Sequence, residues 1–175
     1  MTALPVVGPG AVRPARHEDV DALIGLRRWL MEDGAGHYVA RTEADRQAWR
    51  SAYRDWLIAR LALVNCVHVA VLSHIRDDRM IVGCGIGIID ERAPMAGCLN
   101  GRVGWVQSVV IDPQHRGRGH GRAVMNHLLG WFASRDVGKI VLQTTPIAEA
   151  MYEGLGFVSS GELLLVWQAD ASRPA

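Results

Sequence analysis

The chain has 175 residues, 49% of them apolar and 21% charged, which suits one folded domain with a sizeable core and excludes a disordered segment. Its net charge of +1 gives no overall field that would select nucleic acid or an acidic membrane, so any anion site has to be local. Three cysteines without C-x-x-C spacing exclude a closed disulfide framework and a four-ligand zinc site, and they suit a reducing cytoplasm.

Residues 1–10, with two prolines and two glycines, read as a loose leader, and 169–175 as a tail, around one domain spanning 1–175. The leader has no basic region followed by a long apolar run, and no window reaches the ~18–20 apolar residues of a membrane span. "AVRPAR" is a short strand. Val20, Leu23, Ile24, Leu30 and Met31 recur at helical spacing and end near Gly34. A second helix opens at Thr42, a side chain suited to the N-cap, and carries Trp49, Tyr53, Trp56, Leu57 and Leu61 along one face.

The period then changes. "CVHVAVLSHI" is a strand, "DDR" a polar turn, "MIVGCGIGII" a glycine-bearing strand and "DERAPMAGCLNG" an exposed connection. "RVGWVQSVVIDP" is a further strand, closed by Pro113. A helix follows from Gly119 to about Arg135, burying Val124, Met125, Leu128, Leu129 and Phe132. "KIVLQTT" is a strand, "IAEAMYEGLG" a short helix and "FVSSGELLLVWQ" a final hairpin. The order β-α-α-β-β-β-α-β-α-β-β describes an α/β (α+β) fold with a mixed, mostly antiparallel central sheet and helices on both faces.

Where the strand ending at Ile111 hands over to the next helix stand Gly117, Gly119 and Gly121. A strand, a glycine turn and a helix start together make an anion site. The first helical turn has unpaired N–H groups and roughly half a positive charge, and glycines let a phosphate approach them. Arg116, Arg118 and Arg122 add positive charge, with His115 and His120 as further donors. A Walker A loop is excluded because the loop has no lysine. A dinucleotide fold would want G-x-G-x-x-G and an acid at the end of the next strand, whereas this chain has G-x-G-x-G and "LQTTP".

Arg116-Gly117-Arg118-Gly119-His120-Gly121 resembles the R-x-x-G-x-G/A signature of the GCN5-related N-acetyltransferase (GNAT) superfamily, approached by an apolar-x-Pro step at Ile111-Asp112-Pro113. Ala148, Tyr152, Gly156 and Phe157 resemble that family's A-x-x-x-Y-x-x-x-G-F block at the usual distance downstream. The element order is similar to its acyl-CoA N-acyltransferase fold over nearly the whole chain.

The resemblance implies an acetyl-CoA-dependent N-acetyltransferase, with acetyl-CoA as cosubstrate, no metal, and an amine acceptor that is either a small molecule or a protein amino group. Val109, Val110 and Ile111 would pair with the pantetheine arm, and the backbone from Gly117 to Arg122 would cradle the pyrophosphate. The N–H of Ile111 would meet the oxyanion. Tyr152 would be the general acid for the leaving thiolate, a phenol that keeps its proton at neutral pH.

Two positions depart from the family pattern. Trp105 stands where some members carry a glutamate base, which leaves the base open among Asp90, Glu91 and a water held by Gln107 or Ser108. Thr145 stands where many carry a pantetheine-binding asparagine, and its hydroxyl can make that contact. Neither nucleic acid nor membrane is a partner on this reading. Family members often pair as homodimers, but the residues do not decide an oligomeric state. The alternative is a CoA-binding sensor or interaction module without chemistry. Cys84 and Cys98 have no histidine partner by motif and read as packing residues.

Overall fold

The computed structural model describes residues 10–34, 36, 38–62 and 66–167. The tail 169–175, and the leader except Gly10, lie outside the described residues. Two compact units follow one another, the first ending at Gln143 and the second beginning at Thr144.

The first unit contains β1 (Val12–Pro14), α1 (Val20–Met31), α2 (Glu43–Leu61), β2 (Val67–His74), β3 (Asp77–Glu91), β4 (Arg102–Ile111), α3 (His120–Ala133) and β5 (Lys139–Leu142). Its sheet runs in the order β1-β2-β3-β4-β5. The first three pairings are antiparallel and β4–β5 is parallel, which the connection through α3 requires. The sheet is mixed and mostly antiparallel, as expected.

The alternation along β3 sets what each face can carry. Cys84 and Ile86 point into a buried cluster with Leu23, Ile24, Tyr53 and Leu57 of α1 and α2. Gly83, Gly85 and Gly87 take the opposite face. A Cβ on Gly85 would stand 2.7 Å from Val124 and 3.0 Å from Leu128 of α3, and one on Gly104 would stand 2.8 Å from Phe132. These glycines let α3 lie directly on the sheet, and Val124, Met125, Leu128 and Phe132 are completely buried there. Helices therefore cover both faces.

Local signals fix the helix ends. Thr42 caps α2, its hydroxyl accepting from the N–H of Asp45 at 3.1 Å while the Asp45 carboxylate returns to the Thr42 N–H. The entry to α1 is held by Asp19, which accepts both guanidinium nitrogens of Arg13 at 2.7 and 2.9 Å and the N–H of Arg16 at 2.7 Å. Burial alone would raise the Asp19 pKa, but these bonds outweigh it and hold it low. Glu32 ties the end of α1 to α2 through Arg50, at 2.5 and 2.9 Å.

Three sequence expectations change. "DDR" lies inside β3, because the hairpin turns over Ile75 and Arg76 and pairs His74 with Asp77. Asp90 and Glu91 close β3, where they pair with Val103 and Arg102, so the connection is shorter than expected. The second unit holds α4 (Pro146–Glu153), but residues 158–167 form no strand, and Val158, Leu163, Leu165 and Trp167 are exposed. Ahead of Ser159-Ser160-Gly161 only Phe157 and Val158 remain for a first arm, too short for a stable ladder. Gln168, the last residue of that expected hairpin, is outside the described residues. No described helix is long and apolar enough to cross a membrane.

A polar contact joins α3 to the sheet. The Nε2 atoms of His68 on β2 and His127 on α3 are 2.9 Å apart, and Trp131 lies 5.1 Å from the His68 ring. A single proton can bridge the two nitrogens, and a second would charge one ring and set two N–H donors against each other. Burial, then the positive neighbours His127 and Arg135, push His68 down to about 4, and burial lowers His127 as well. Unfolded histidines titrate near ~6.5, so between about pH 6.5 and 4 the unfolded chain binds more protons than the folded one. Stability rises with pH across that window and is lost as pH falls through it. Melting temperatures measured across this range should fall with acidification, and His68→Gln should flatten that part of the curve. A slope identical to that of the wild-type protein would exclude the pair as its source.

Candidate active site

β4 stays paired with β3 to its end but slips by one residue on the way. Ile86 faces Gln107 and Cys84 faces Val110, so Ser108 and Val109 together oppose the single residue Gly85. That is a β-bulge, which bends the strand. Ser108 sits at its corner with φ 52°, left-handed backbone that costs a non-glycine residue roughly 1–2 kcal/mol. The carbonyl of Ser108 accepts a weak bond from the Cys84 thiol at 3.7 Å.

On the other edge the parallel ladder with β5 ends at Val106 and Leu142. Val109, Val110 and Ile111 continue past that last pair, still held on the β3 side. The Asp112 N–H reaches the Val82 carbonyl at 2.9 Å, and the Arg116 Nε–H reaches the Ile111 carbonyl at 3.0 Å.

The loop then turns in small steps. Asp112 accepts from the Gln114 N–H at 2.9 Å and from His115 Nδ1 at 3.3 Å, forming a short 3-10 turn over Pro113–His115. Gly117 and Gly119 have φ 72° and 77°, and a Cβ on either would meet nothing within 4 Å. The backbone conformation demands glycine here, and open space lies alongside. Gly119 is the N-cap of α3 and supplies no side-chain bond, and the first turn of α3 holds no acidic residue. The N–H groups of His120, Gly121 and Arg122 thus begin a 14-residue helix without a side-chain cap, where its dipole favours an anion. Arg116, Arg118 and Arg122 are exposed around this turn, while His120 is buried.

The expected strand segment, Val109–Ile111, and the expected loop, Arg116–Arg122, therefore meet at one end of the sheet. Thr145 and Tyr152 lie in the second unit. Thr145 is the N-cap of α4 and its side chain makes no cap bond. Tyr152 is 8% exposed, packs edge-on to Phe157 at 5.8 Å, and burial raises its hydroxyl pKa, so it keeps its proton at neutral pH.

Asp90 and Glu91 are five and six residues along β3 from Gly85, roughly 16–20 Å at strand rise, and they do not stand at the bulge. Trp105 sits in β4 between Ile88 and Val141. Cys84 is fully buried and its thiol is pushed up to about 12 by that burial, which removes it as a nucleophile. Sequence reasoning missed the left-handed Ser108 and the role of Gly85 opposite it. The only signal for either was a glycine in β3 facing a polar residue in β4.

The model of the family described as "Acetyltransferase (GNAT) family" matches residues 23–157. Glucosamine 6-phosphate N-acetyltransferase 1 of Oryza sativa subsp. japonica is 29% identical over 112 residues, which are 64% of this chain. The chain spans 63% of the length of that relative. A GCN5-related N-acetyltransferase from Ralstonia eutropha JMP134 superposes with a TM-score of 0.74 at 23% identity, covering 90% of this chain and 97% of its own. A structure from Clostridium acetobutylicum described as a "predicted acetyltransferase with acetyl-CoA" gives a TM-score of 0.73 at 20% identity, covering 89% of this chain and 94% of its own. At these identities the two structures establish the fold.

The bulge makes a prediction of its own. Ser108→Gly should leave the melting temperature unchanged or raise it slightly, because relief of left-handed strain offsets the added chain flexibility. Ser108→Val forces a β-branched side chain into the same φ and should cost about 2 kcal/mol, lowering the melting temperature by roughly 4–8 °C. If both variants melt alike, the strain is not located at this residue.

Proposed function

From the premise that the chain belongs to the acetyltransferase (GNAT) family, we propose that it moves the acetyl group of acetyl-CoA to a primary amine by direct attack in a ternary complex. The observation that carries this reading is the edge of β4 beyond Val106, leading within a few residues to the uncapped start of α3. A donor with an amide-bearing arm and a diphosphate asks for those two surfaces in that order. Val109, Val110 and Ile111 offer backbone groups to the arm, and the backbone from Gly117 to Arg122 receives the diphosphate.

The reaction needs a neutral amine, a stabilised oxyanion and a protonated leaving group. The amine nitrogen bonds to the thioester carbonyl carbon, negative charge passes to the carbonyl oxygen, and the Ile111 N–H meets it. The carbon–sulfur bond then breaks, and the thiolate takes the proton of Tyr152. The proton released by the attacking nitrogen goes to water, because no carboxylate stands at Trp105 and neither Asp90 nor Glu91 lies at the bulge, and solvent then restores the proton that Tyr152 gave. Thr145 contributes a hydroxyl to the arm. The rice relative's name points to an amino-sugar phosphate as acceptor, so glucosamine 6-phosphate leads the acceptors worth testing.

The absence of an acid at Trp105 favours one rival reading, a CoA-binding module without chemistry. Release of free CoA thiol from acetyl-CoA, followed across a panel of amino sugars, amino acids and basic peptides, separates the two. The enzyme reading expects turnover with at least one amine. Tyr152→Phe should lower kcat by about a hundredfold and leave acetyl-CoA affinity unchanged. Binding of acetyl-CoA without turnover on any amine supports the module, and full activity in Tyr152→Phe returns that residue to a packing role.

A further inference from the structure

Residues from α1, α2, β3 and β4 meet where the bulge faces the two helices. Cys84 of β3 points into the buried cluster with α1 and α2, and its thiol donates to the Ser108 carbonyl at 3.7 Å. That carbonyl is therefore reached from the helix side of the sheet. Tyr53 of α2 lies in the same cluster, 7% exposed, and its hydroxyl is buried without a hydrogen-bond partner. The Arg27 guanidinium of α1 lies over the Tyr53 ring, 4.3 Å from its centre. Burial raises the pKa values of the Tyr53 hydroxyl and the Cys84 thiol, and the nearby Arg27 charge pulls both back. A cation thus stands between the two helices, beside the bend in β4.

Charge balance sets Arg27 apart. On α1 and α2, Arg28 and Arg50 share Glu32, Arg46 reaches Glu43 and Arg54 reaches Asp21. Arg60 is exposed to solvent. Arg27 is half-buried, and among the described residues no carboxylate pairs with it. The residues three and four positions away on α1, Leu23, Ile24, Leu30 and Met31, are apolar, so no acid can swing over along the helix.

Contact with the face of an aromatic ring holds the guanidinium plane and engages none of its N–H donors. The Tyr53 ring is itself flanked by Trp49 and Trp56, with centroids 6.4 and 6.0 Å away. Arg27 is therefore a planar fork held on a fixed seat, a shape that matches a carboxylate or a phosphate. A half-buried cation without a counter-charge is costly in the free protein, and an anionic ligand group would offset that cost.

We infer that the acceptor is a small amine that also carries an anionic group, carboxylate or phosphate, and that Arg27 binds this group from its seat on Tyr53. The inference rests on the acetyl-transfer reading above and narrows its acceptor. The strand edge proposed for the donor is the β5 side of β4, whereas Arg27 belongs to the α1 and α2 face, so the two substrates come to the bulge from different sides. A polyamine or a lysine in a basic segment would meet a repelling charge there. Arg27 sets specificity and moves no proton.

The test compares matched acceptors with and without the anionic group, reading release of CoA from acetyl-CoA. Glucosamine 6-phosphate is set against glucosamine, and alanine against alaninamide, which separates a phosphate from a carboxylate as the group recognised. The charged member of at least one pair should have a kcat/KM higher by about tenfold or more, carried by KM. Arg27→Gln should bring that ratio to about one, and Arg27→Lys should keep part of it, which a purely structural loss would not do. Equal kcat/KM within both pairs, or a preference that survives in Arg27→Gln, would overturn the assignment.

A second arm titrates the same compounds into the CoA-bound protein by calorimetry and needs no turnover. A charged compound should bind there, and Arg27→Gln should weaken that binding about tenfold. No binding of either charged compound, or binding indifferent to the substitution, would overturn the inference. Charge-dependent binding without turnover on any amine supports the anion site and contradicts acetyl transfer, so the two readings fail in different ways.

Discussion

β4 has to remain in register with β3 while parting from β5, and the candidate site follows from that conflict. The bulge at Ser108 and Val109 resolves it by adding one residue on the β4 side opposite Gly85. Ladder hydrogen bonds to β3 survive on both sides of the bulge, and the other edge of the strand is left without a β5 partner. The left-handed Ser108 is where the backbone carries the strain of that arrangement. Gly85 matters twice, since its missing side chain also makes room for Val124 and Leu128 of α3 over the same spot. The freed strand edge and the start of α3 then come to the same end of the sheet.

On the proposed reading, backbone does most of the anion recognition. With a net charge of +1 the molecule as a whole does not draw a phosphate in, whereas three consecutive N–H groups and a 14-residue helix dipole would do so locally. Gly117 and Gly119 hold the turn ahead of those groups in left-handed backbone. Rigid support comes from the far face, where Asp19 ties the entry of α1 to Arg13 of β1, Glu32 ties its end to Arg50 of α2, and Tyr53 and Leu57 fill the core.

Much of this could be read from the residues, for local reasons. Thr42 with Asp45 announces a helix start, the Val124–Leu128–Phe132 spacing announces a buried helix face, and the glycine run between Ile111 and Val124 announces an anion turn. The family signature added which anion that turn would hold. What stayed hidden depends on contacts far apart in sequence. "VQSVVI" sets two polar residues before three apolar ones, and nothing in it shows which residue leaves the ladder. The His68–His127 pair and the meeting of Arg27, Tyr53 and Cys84 join residues that only the fold brings together. In the other direction, the apolar run Leu163–Trp167 suggested a strand that the described residues do not form, because apolar alternation reports burial preference and not whether a pairing partner exists.

The central claim is that the β4 edge and the start of α3 together receive acetyl-CoA. The direct measurement is a titration of isotope-labelled protein with acetyl-CoA, following the backbone amides residue by residue, with NAD and ATP as controls. The account predicts saturable shifts concentrated at Val109–Ile111 and Gly117–Arg122, caused by acetyl-CoA and CoA but not by the controls. Saturable binding that leaves those amides unmoved, or no binding at all, would contradict it.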